Sequence, residues 1–267
     1  MRYLLLSLCL FASIALAHQG EHSGPNTAQY LGNEAVLVES GDRKLLFDPF
    51  FHNDYGQYQK VPESIRDDIF AANAPFDKIA MVLISHAHED HFSVTDVLRY
   101  MLQHSNVVLV APKQAIEQLL VLKQAESIKS RMVSIALAFG DSAWKKTLSD
   151  IQVEAVRIPH AGWPGRADVE NLVYRVTLNE QATVMHLGDA DPQVEHYLPY
   201  RAHWDQRDTQ LGFPPYWFFR SAEGREILKT YLHVKHSVGV HVPIKIPKRL
   251  SESGHDYFSK PGEKRKF

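Results

Sequence analysis

Cysteine is almost missing from this chain. Cys9 is the only one in 267 residues, and it falls inside an N-terminal stretch with the pattern of a removable export signal. Arg2 supplies the positive start, Leu4 to Ala15 the short apolar segment, and Ala15-Leu16-Ala17 the small-x-small cleavage pattern. Cleavage after residue 17 removes Cys9, so the mature chain has no disulfide, no thiolate nucleophile and no thiolate metal ligand. Leu8 precedes Cys9 where a lipoprotein signal carries a small residue, which argues against lipidation there. The apolar run is too short to span a bilayer comfortably. The expectation is therefore export to the periplasm or the medium without a stable membrane anchor.

An excess of charge of either sign is also lacking. Lys and Arg number 29 against 31 Asp and Glu, so no broad field favours nucleic acid or an anionic membrane. The basic run from Lys245 to Lys266 reads as a solvated C-terminal tail. There is no internal repeat and no low-complexity linker. Hydrophobic residues make up 45% of the chain, enough for a sizeable core. This leaves a signal at 1–17, a polar lead-in at 18–26 carrying His18 and His22, and one domain over 27–267.

Within that domain, apolar strands alternate with helical stretches. "AVLVES" and "KLLFDP" flank Gly41-Asp42 as a hairpin. "KIAMVLIS" is a continuous apolar run suited to a strand buried on both faces. Ser93 then opens "SVTDVLRYMLQ", with Asp96 three residues on, as the N-cap of an amphipathic helix. "NVVLVA" is another strand, and Pro112 opens the helix "PKQAIEQLLVL". The second half is richer in strands: "IQVEAVRIPH", "NLVYRVTL", "ATVMHLGDAD" and, after the helical "AEGREILKTYL", a last strand at "SVGVHVP". The class is α/β, with more strands than a simple doubly wound sheet needs.

The richest chemistry follows the buried strand, in "SHAHEDH". His86 and His88 are two apart, so in extended backbone both imidazoles point to one side and can take one cation. Asp90 and His91 follow as the chain turns, facing a different direction and able to serve a second. Solvated histidines at a polar strand end are the bland alternative, and the clustering disfavours it. Glu89 is expected to face away.

These residues resemble the signature H-x-H-x-D-H of the metallo-β-lactamase fold hydrolases. "VRIPHAGW", "MHLGDAD" and "VGVHVP" supply the family's later histidine, aspartate and last histidine in order, and the resemblance runs from about Gln29 to Pro243. It implies a four-layer αββα sandwich holding two divalent ions, zinc first and manganese or iron next. His86, His88 and His160 would hold one ion. Asp90, His91 and His241 would hold the other, with Asp189 bridging. A hydroxide shared by the ions would be the nucleophile, and Asp90 would orient it or take its proton. Asp48 resembles the family's early aspartate, which accepts a hydrogen bond from a ligand histidine or the signature loop; a plain turn aspartate before Pro49 is the alternative. His186 is read as a packed histidine beside the site. His233 and His236 are read as surface residues preceding the last strand.

His88 stands where diiron flavoprotein members carry glutamate, which turns the reading from redox chemistry toward hydrolysis. "PYW" and "HVP" resemble the branch of ascorbate-phosphate lactonase-like proteins and the phospholipase D acting on N-acyl phosphatidylethanolamine. The implied activity is cleavage of a phosphodiester or a lactone or ester in a small molecule or lipid. A non-catalytic metal-binding or sensory protein is the alternative. Trp163 and Arg166 can overhang the ions. Tyr216 and Trp217, in the aromatic run Phe213 to Phe219, either face substrate or fill the core.

Overall fold

The computed structural model describes residues 25–179 and 182–267. The expected signal at 1–17, with Cys9, and the lead-in residues His18 and His22 lie outside the described residues. Strands β1 (Thr27–Gly32), β2 (Ala35–Ser40), β3 (Arg43–Phe47), β4 (Ile79–Leu83), β5 (Val108–Pro112) and β6 (Met132–Ile135) run in spatial order across a first sheet. β1 to β3 are antiparallel, and β3 to β6 are parallel. The second sheet holds β7 (Trp144–Leu148), β8 (Ile151–Arg157), β9 (Leu172–Thr177), β10 (Thr183–His186), β11 (Thr209–Phe213) and β12 (Val234–Ser237), again in spatial order. Here β7 to β10 are antiparallel, and β10 to β12 parallel.

Period-two alternation builds the layers. Val36, Val38, Leu45, Phe47, Met81 and Leu83 point between the sheets, where they meet Ile151, Tyr174, Val176, Val184 and Phe213. Their sequence neighbours Leu37, Leu46, Val82 and Ile84 point the other way, onto helices α1 (Glu63–Ala71), α2 (Val94–Gln103) and α3 (Lys113–Leu120). A third apolar layer, with Val173, Met185, Trp204, Phe218 and Ile227, joins the second sheet to the helical segments of the C-terminal part. Three apolar interiors separate four layers, and the arrangement is the expected αββα sandwich. Each fully buried Val, Leu or Phe contributes roughly 1.5–3 kcal/mol.

Local signals behave as read. Ser93 Oγ accepts the Asp96 N–H at 3.4 Å at the start of α2, and β2 and β3 pair as a hairpin around Gly41-Asp42. Two readings change. The last strand of the second sheet is Val234–Ser237, not "SVGVHVP", so His236 lies within it; Val238 to His241 follow with isolated bridges only. Val234, His236 and Ser237 pair with β11, whereas the positive φ of 55° at His241 takes the later segment out of strand geometry. The basic tail also does not trail into solvent. Phe258 is fully buried, Arg265 pairs with Asp256 at 2.7 Å, and β13 (Lys264–Lys266) closes the first sheet against β1.

Four loops leave the C-terminal ends of β4, β8, β10 and β12 and meet at one rim, bringing His86 to His91, His160, Asp189 and His241 together. The β10 turn shows how tightly this rim is drawn. Gly188 has φ +52°, and a Cβ there would lie 2.4 Å from Asn171 Oδ1 and 2.7 Å from Ser85 Cβ. Asn171 Oδ1 in turn accepts the Asp189 N–H at 3.0 Å. Gly188→Ala should therefore lower the unfolding free energy by about 2–3 kcal/mol, read from urea denaturation. A wild-type midpoint would contradict this account of the turn.

Candidate metal centre

Asp48 organises the signature loop. Its Oδ1 accepts the Ser85 N–H at 2.7 Å, and its Oδ2 accepts the Ser85 hydroxyl at 2.5 Å and faces His91 Nδ1 at 3.0 Å. Those contacts fix tautomers. Ser85 has one hydroxyl proton, given to Asp48, so His86 Nδ1, at 3.0 Å from the same oxygen, must be the donor. His86 Nε2 then carries a lone pair. His91 Nδ1–H donates to Asp48, which directs its Nε2 into the cluster. His160 Nδ1–H donates to the Ala161 carbonyl at 2.7 Å and likewise leaves Nε2 facing inward. Ring nitrogens oriented this way by outer acceptors characterise metal-binding histidines.

Among the donor clusters of the described residues, which include Glu34 with Asp48 and His186 and Glu34 with His91 and Asp189, two together hold the seven expected residues. His86, His88, His160 and Asp189 place their donor atoms within 4.8 Å of one another, and Asp90, His91 and His241 do the same. Asp189 stands between them. Its Oδ2 lies 3.2 Å from His160 Nε2 and 3.9 Å from His86 Nε2, while its Oδ1 lies 3.2 Å from His241 Nε2 and 3.5 Å from His91 Nε2. Asp90 Oδ2 is 3.4 Å from His241 Nε2 and 3.5 Å from His91 Nε2. His91 Nε2, His160 Nε2, His241 Nε2 and Asp189 Oδ1 are buried without a hydrogen-bond partner of acceptable geometry. Inward-facing buried donors left unpaired fit a divalent cation, and the imidazole and carboxylate set suits zinc-like ions.

The electrostatics divide the groups. Burial, and then the neighbouring His91, push the His86 imidazole well below its ordinary value; burial and then His160 lower His88, with Arg166 adding to the effect. Burial opposes charging of His91 and His241 as well, but the Asp189 charge together with contacts to Asp48 and Asp90 outweighs it at His91, and Asp189, Asp90 and Glu34 together outweigh it at His241. His91 is held well above the ordinary range, and His241 is raised to about 9. Burial likewise opposes ionisation of Asp189, which His241 and His91 nonetheless hold well below the carboxylate range.

The other expected residues separate clearly. His186 is fully buried and stacks on Phe47 at 4.7 Å; its Nδ1 accepts the Gly188 N–H at 3.2 Å and its Nε2 donates to the Glu34 carbonyl at 3.0 Å. Both nitrogens are engaged, so it packs beside the cluster. Glu89 is exposed and bonds Asn53. His233 and His236 pair with Asp205 and Asp256, outside both donor groups.

The aromatic run splits. Phe213 and Phe218 are core, while Trp217 lies 5.2 Å from the His241 ring, held by its Nε1–H to the Ala190 carbonyl, with Tyr216 beside it. Arg166 is exposed, and Trp163 packs edge-on to His196 at 5.8 Å. A cleft of about 430 Å³ opens beside His88, lined by Ala87, Gln114, Glu117, Val121 and Asp168.

Four neighbours carried no sequence signal strong enough to single them out. Ser85 relays Asp48 to His86. Asn33 bonds Asp90, with Nδ2 3.0 Å from its carbonyl oxygen. The fully buried Glu34 carboxyl faces His186 Nε2 at 3.6 Å and His91 Nδ1 at 4.0 Å, and burial pushes it well above its usual range. Tyr58 stands edge-on to the His241 ring at 4.1 Å.

Comparison with known proteins places the fold. The beta-lactamase superfamily domain matches residues 27–199, and the chain belongs to that family. A metal-dependent hydrolase of Alkaliphilus metalliredigens is 37% identical over 67 residues, 25% of this chain and 24% of that protein; the match thus spans about a quarter of the relative. The metallo-beta-lactamase fold protein YhfI of Bacillus subtilis superposes with a TM-score of 0.61 at 15% identity, over 91% of this chain and 99% of its own. A possible metal-dependent hydrolase of Veillonella parvula does so at 0.61 and 13% identity, over 91% and 100%.

In the metal-free protein, His241 should titrate near pH 9, with His86 and His88 neutral at pH 7, as read by ¹⁵N NMR of the ring nitrogens. A folded value raised from 6.5 to about 9 means this proton's contribution to stability is complete below 6.5. It is lost as pH climbs through 9. A His241 ring that is neutral at pH 7 would contradict this electrostatic picture.

Proposed function

We propose that the protein is a hydrolase using two divalent ions, zinc first, to cleave a phosphodiester or a lactone or ester. The carrying observation is Asp189, which turns one oxygen to each donor group, 3.2 Å from His160 Nε2 and 3.2 Å from His241 Nε2. His86, His88 and His160 would hold the first ion, Asp90, His91 and His241 the second, and Asp189 both. Bound divalent ions supply a water acidified to a pKa of roughly 7 and a Lewis acid for the attacked bond.

The side chains then have separable tasks. Asp48 holds the His91 tautomer and, through Ser85, that of His86. Asp90 has its carboxyl pushed down by contacts with His241 and His91 that outweigh burial. So weak a base favours accepting a hydrogen bond and orienting the nucleophile over storing its proton. Tyr58 and Trp217 flank His241 and can exclude water from that side. Arg166, exposed near His88, can meet an anionic group. The cleft of about 430 Å³ has the size of a small-molecule site.

The curated relative bears the name of a metal-dependent hydrolase, which supports the reaction class and leaves the bond open. Export through residues 1–17 belongs to the same proposal and rests on Arg2, the apolar segment and Ala15-Leu16-Ala17. No helix among the described residues is long and apolar enough to cross a membrane.

The test is hydrolysis of bis(p-nitrophenyl) phosphate, and of p-nitrophenyl esters and lactones, by zinc-loaded protein. Asp189→Ala should lower the rate by about 10³-fold, because a group stabilising transition-state charge through the ions is worth several kcal/mol. Chelator should abolish it. A rate on the phosphate diester assigns phosphodiesterase chemistry, and a rate only on the others assigns esterase or lactonase chemistry. Metal-loaded protein inert toward all of them would favour a metal-binding role without turnover.

A further inference from the structure

The two donor groups are built differently. The first has a preformed base, since His86 and His88 sit on one short loop with Nε2 and Nδ1 3.1 Å apart. The second takes Asp90 and His91 from that loop and His241 from the far part of the chain. Something must hold Asp90 and His241 in register.

Asn33 does so. It occupies the two-residue turn between β1 and β2, where Gly32 pairs with Ala35 past a bulge at Tyr30/Gly32. Bulges re-aim side chains next to sites. Its Nδ2 donates to the Asp90 carbonyl at 3.0 Å and approaches Asp90 Oδ2 at 3.4 Å. Its own carbonyl accepts the His241 N–H at 3.0 Å. One residue therefore binds the backbone of both ligands and the carboxylate of one. The amide orientation is unambiguous, because a flipped Oδ1 would face two acceptors.

Neither end of this link is free to drift. Asn33 is fully buried. Asn33 and His241 have φ of 42° and 55°, a region that asparagine tolerates better than most residues. Ahead of the turn, a Cβ on Gly32 would lie 2.6 Å from the Lys60 carbonyl carbon and 2.7 Å from Val61 N. The turn is thus pressed against backbone and cannot slide.

We infer that Asn33 is a positioning residue for the second ion, fixing Asp90 and His241 as one preorganised pair of ligands. It is not itself a ligand. The inference rests on the two-ion reading above. Outer partners of metal ligands typically change affinity by about 10–100-fold, and the loss here falls on one site only.

Two variants separate the hydrogen bond from the backbone. Asn33→Gly keeps the positive φ and the carbonyl that accepts His241 N–H but deletes the donor. Asn33→Asp keeps the shape and turns an acceptor toward the Asp90 carbonyl. Each is titrated with zinc against a graded competing chelator, and ions per chain are counted by native mass spectrometry. Melting of the metal-free forms is followed by circular dichroism. The expected result is two ions in the wild type and a second ion bound about 10–100-fold more weakly in both variants. The first ion is bound as in the wild type, and the metal-free variants melt lower, by the loss of one buried hydrogen bond, but still in a single cooperative transition. Wild-type affinity for both ions in the variants overturns the assignment while leaving the two-ion reading intact. So does parallel loss of both ions or loss of the cooperative transition, which marks general damage. A wild type that takes only one ion overturns the two-ion reading itself.

Discussion

Everything at the rim depends on one buried carboxylate. Asp48 is 1% exposed and takes the Ser85 N–H, the Ser85 hydroxyl and the His91 Nδ1 proton. These three interactions tie β3 to the loop after β4. They also decide which nitrogen of His86 and of His91 faces the cluster. Hydrogen bonds to a charged acceptor are worth about 1.5–3 kcal/mol each, so the loop is held before any ligand binds. Preorganisation of this kind keeps several buried lone pairs aimed at one another, an arrangement that would relax in a softer scaffold.

The same geometry creates an asymmetry between the two halves of the centre. Around His86 and His88, burial and mutual repulsion favour neutral rings, ready to coordinate. Around His91 and His241, the Asp189 charge favours imidazolium. In the proposed two-ion centre, a cation entering the first group would displace little, whereas one entering the second would have to expel protons. Occupancy of that second position would then be coupled to pH, with affinity rising as the solution becomes more basic.

The sequence and the structure agree most closely where chemistry is concentrated in short motifs. The seven residues that meet at the rim were legible from "SHAHEDH", "RIPH", "LGDAD" and "GVHVP", because each motif sits at a strand end and the sheet rim does the assembling. The strands were legible as apolar runs, and the four layers followed from the family resemblance. Less was visible where function depends on a residue with no distinctive chemistry of its own. Asn33 belongs to no motif, and only the fold brings its amide to Asp90. Glu34 and Tyr58 were silent for the same reason. The last strand was displaced because "SVGVHVP" has the composition of a strand, while the left-handed turn at His241 is a tertiary constraint. The basic tail was misread from charge alone; Phe258 and the Arg265–Asp256 pair hold it to the sheet.

Anomalous X-ray diffraction at the zinc edge, from crystals of the zinc-loaded protein, tests the central claim most directly. The account predicts two peaks about 3.5–4 Å apart, one on each side of Asp189, the first within reach of His86, His88 and His160 and the second within reach of Asp90, His91 and His241. A single peak, or one that leaves Asp189 uncoordinated, would contradict it.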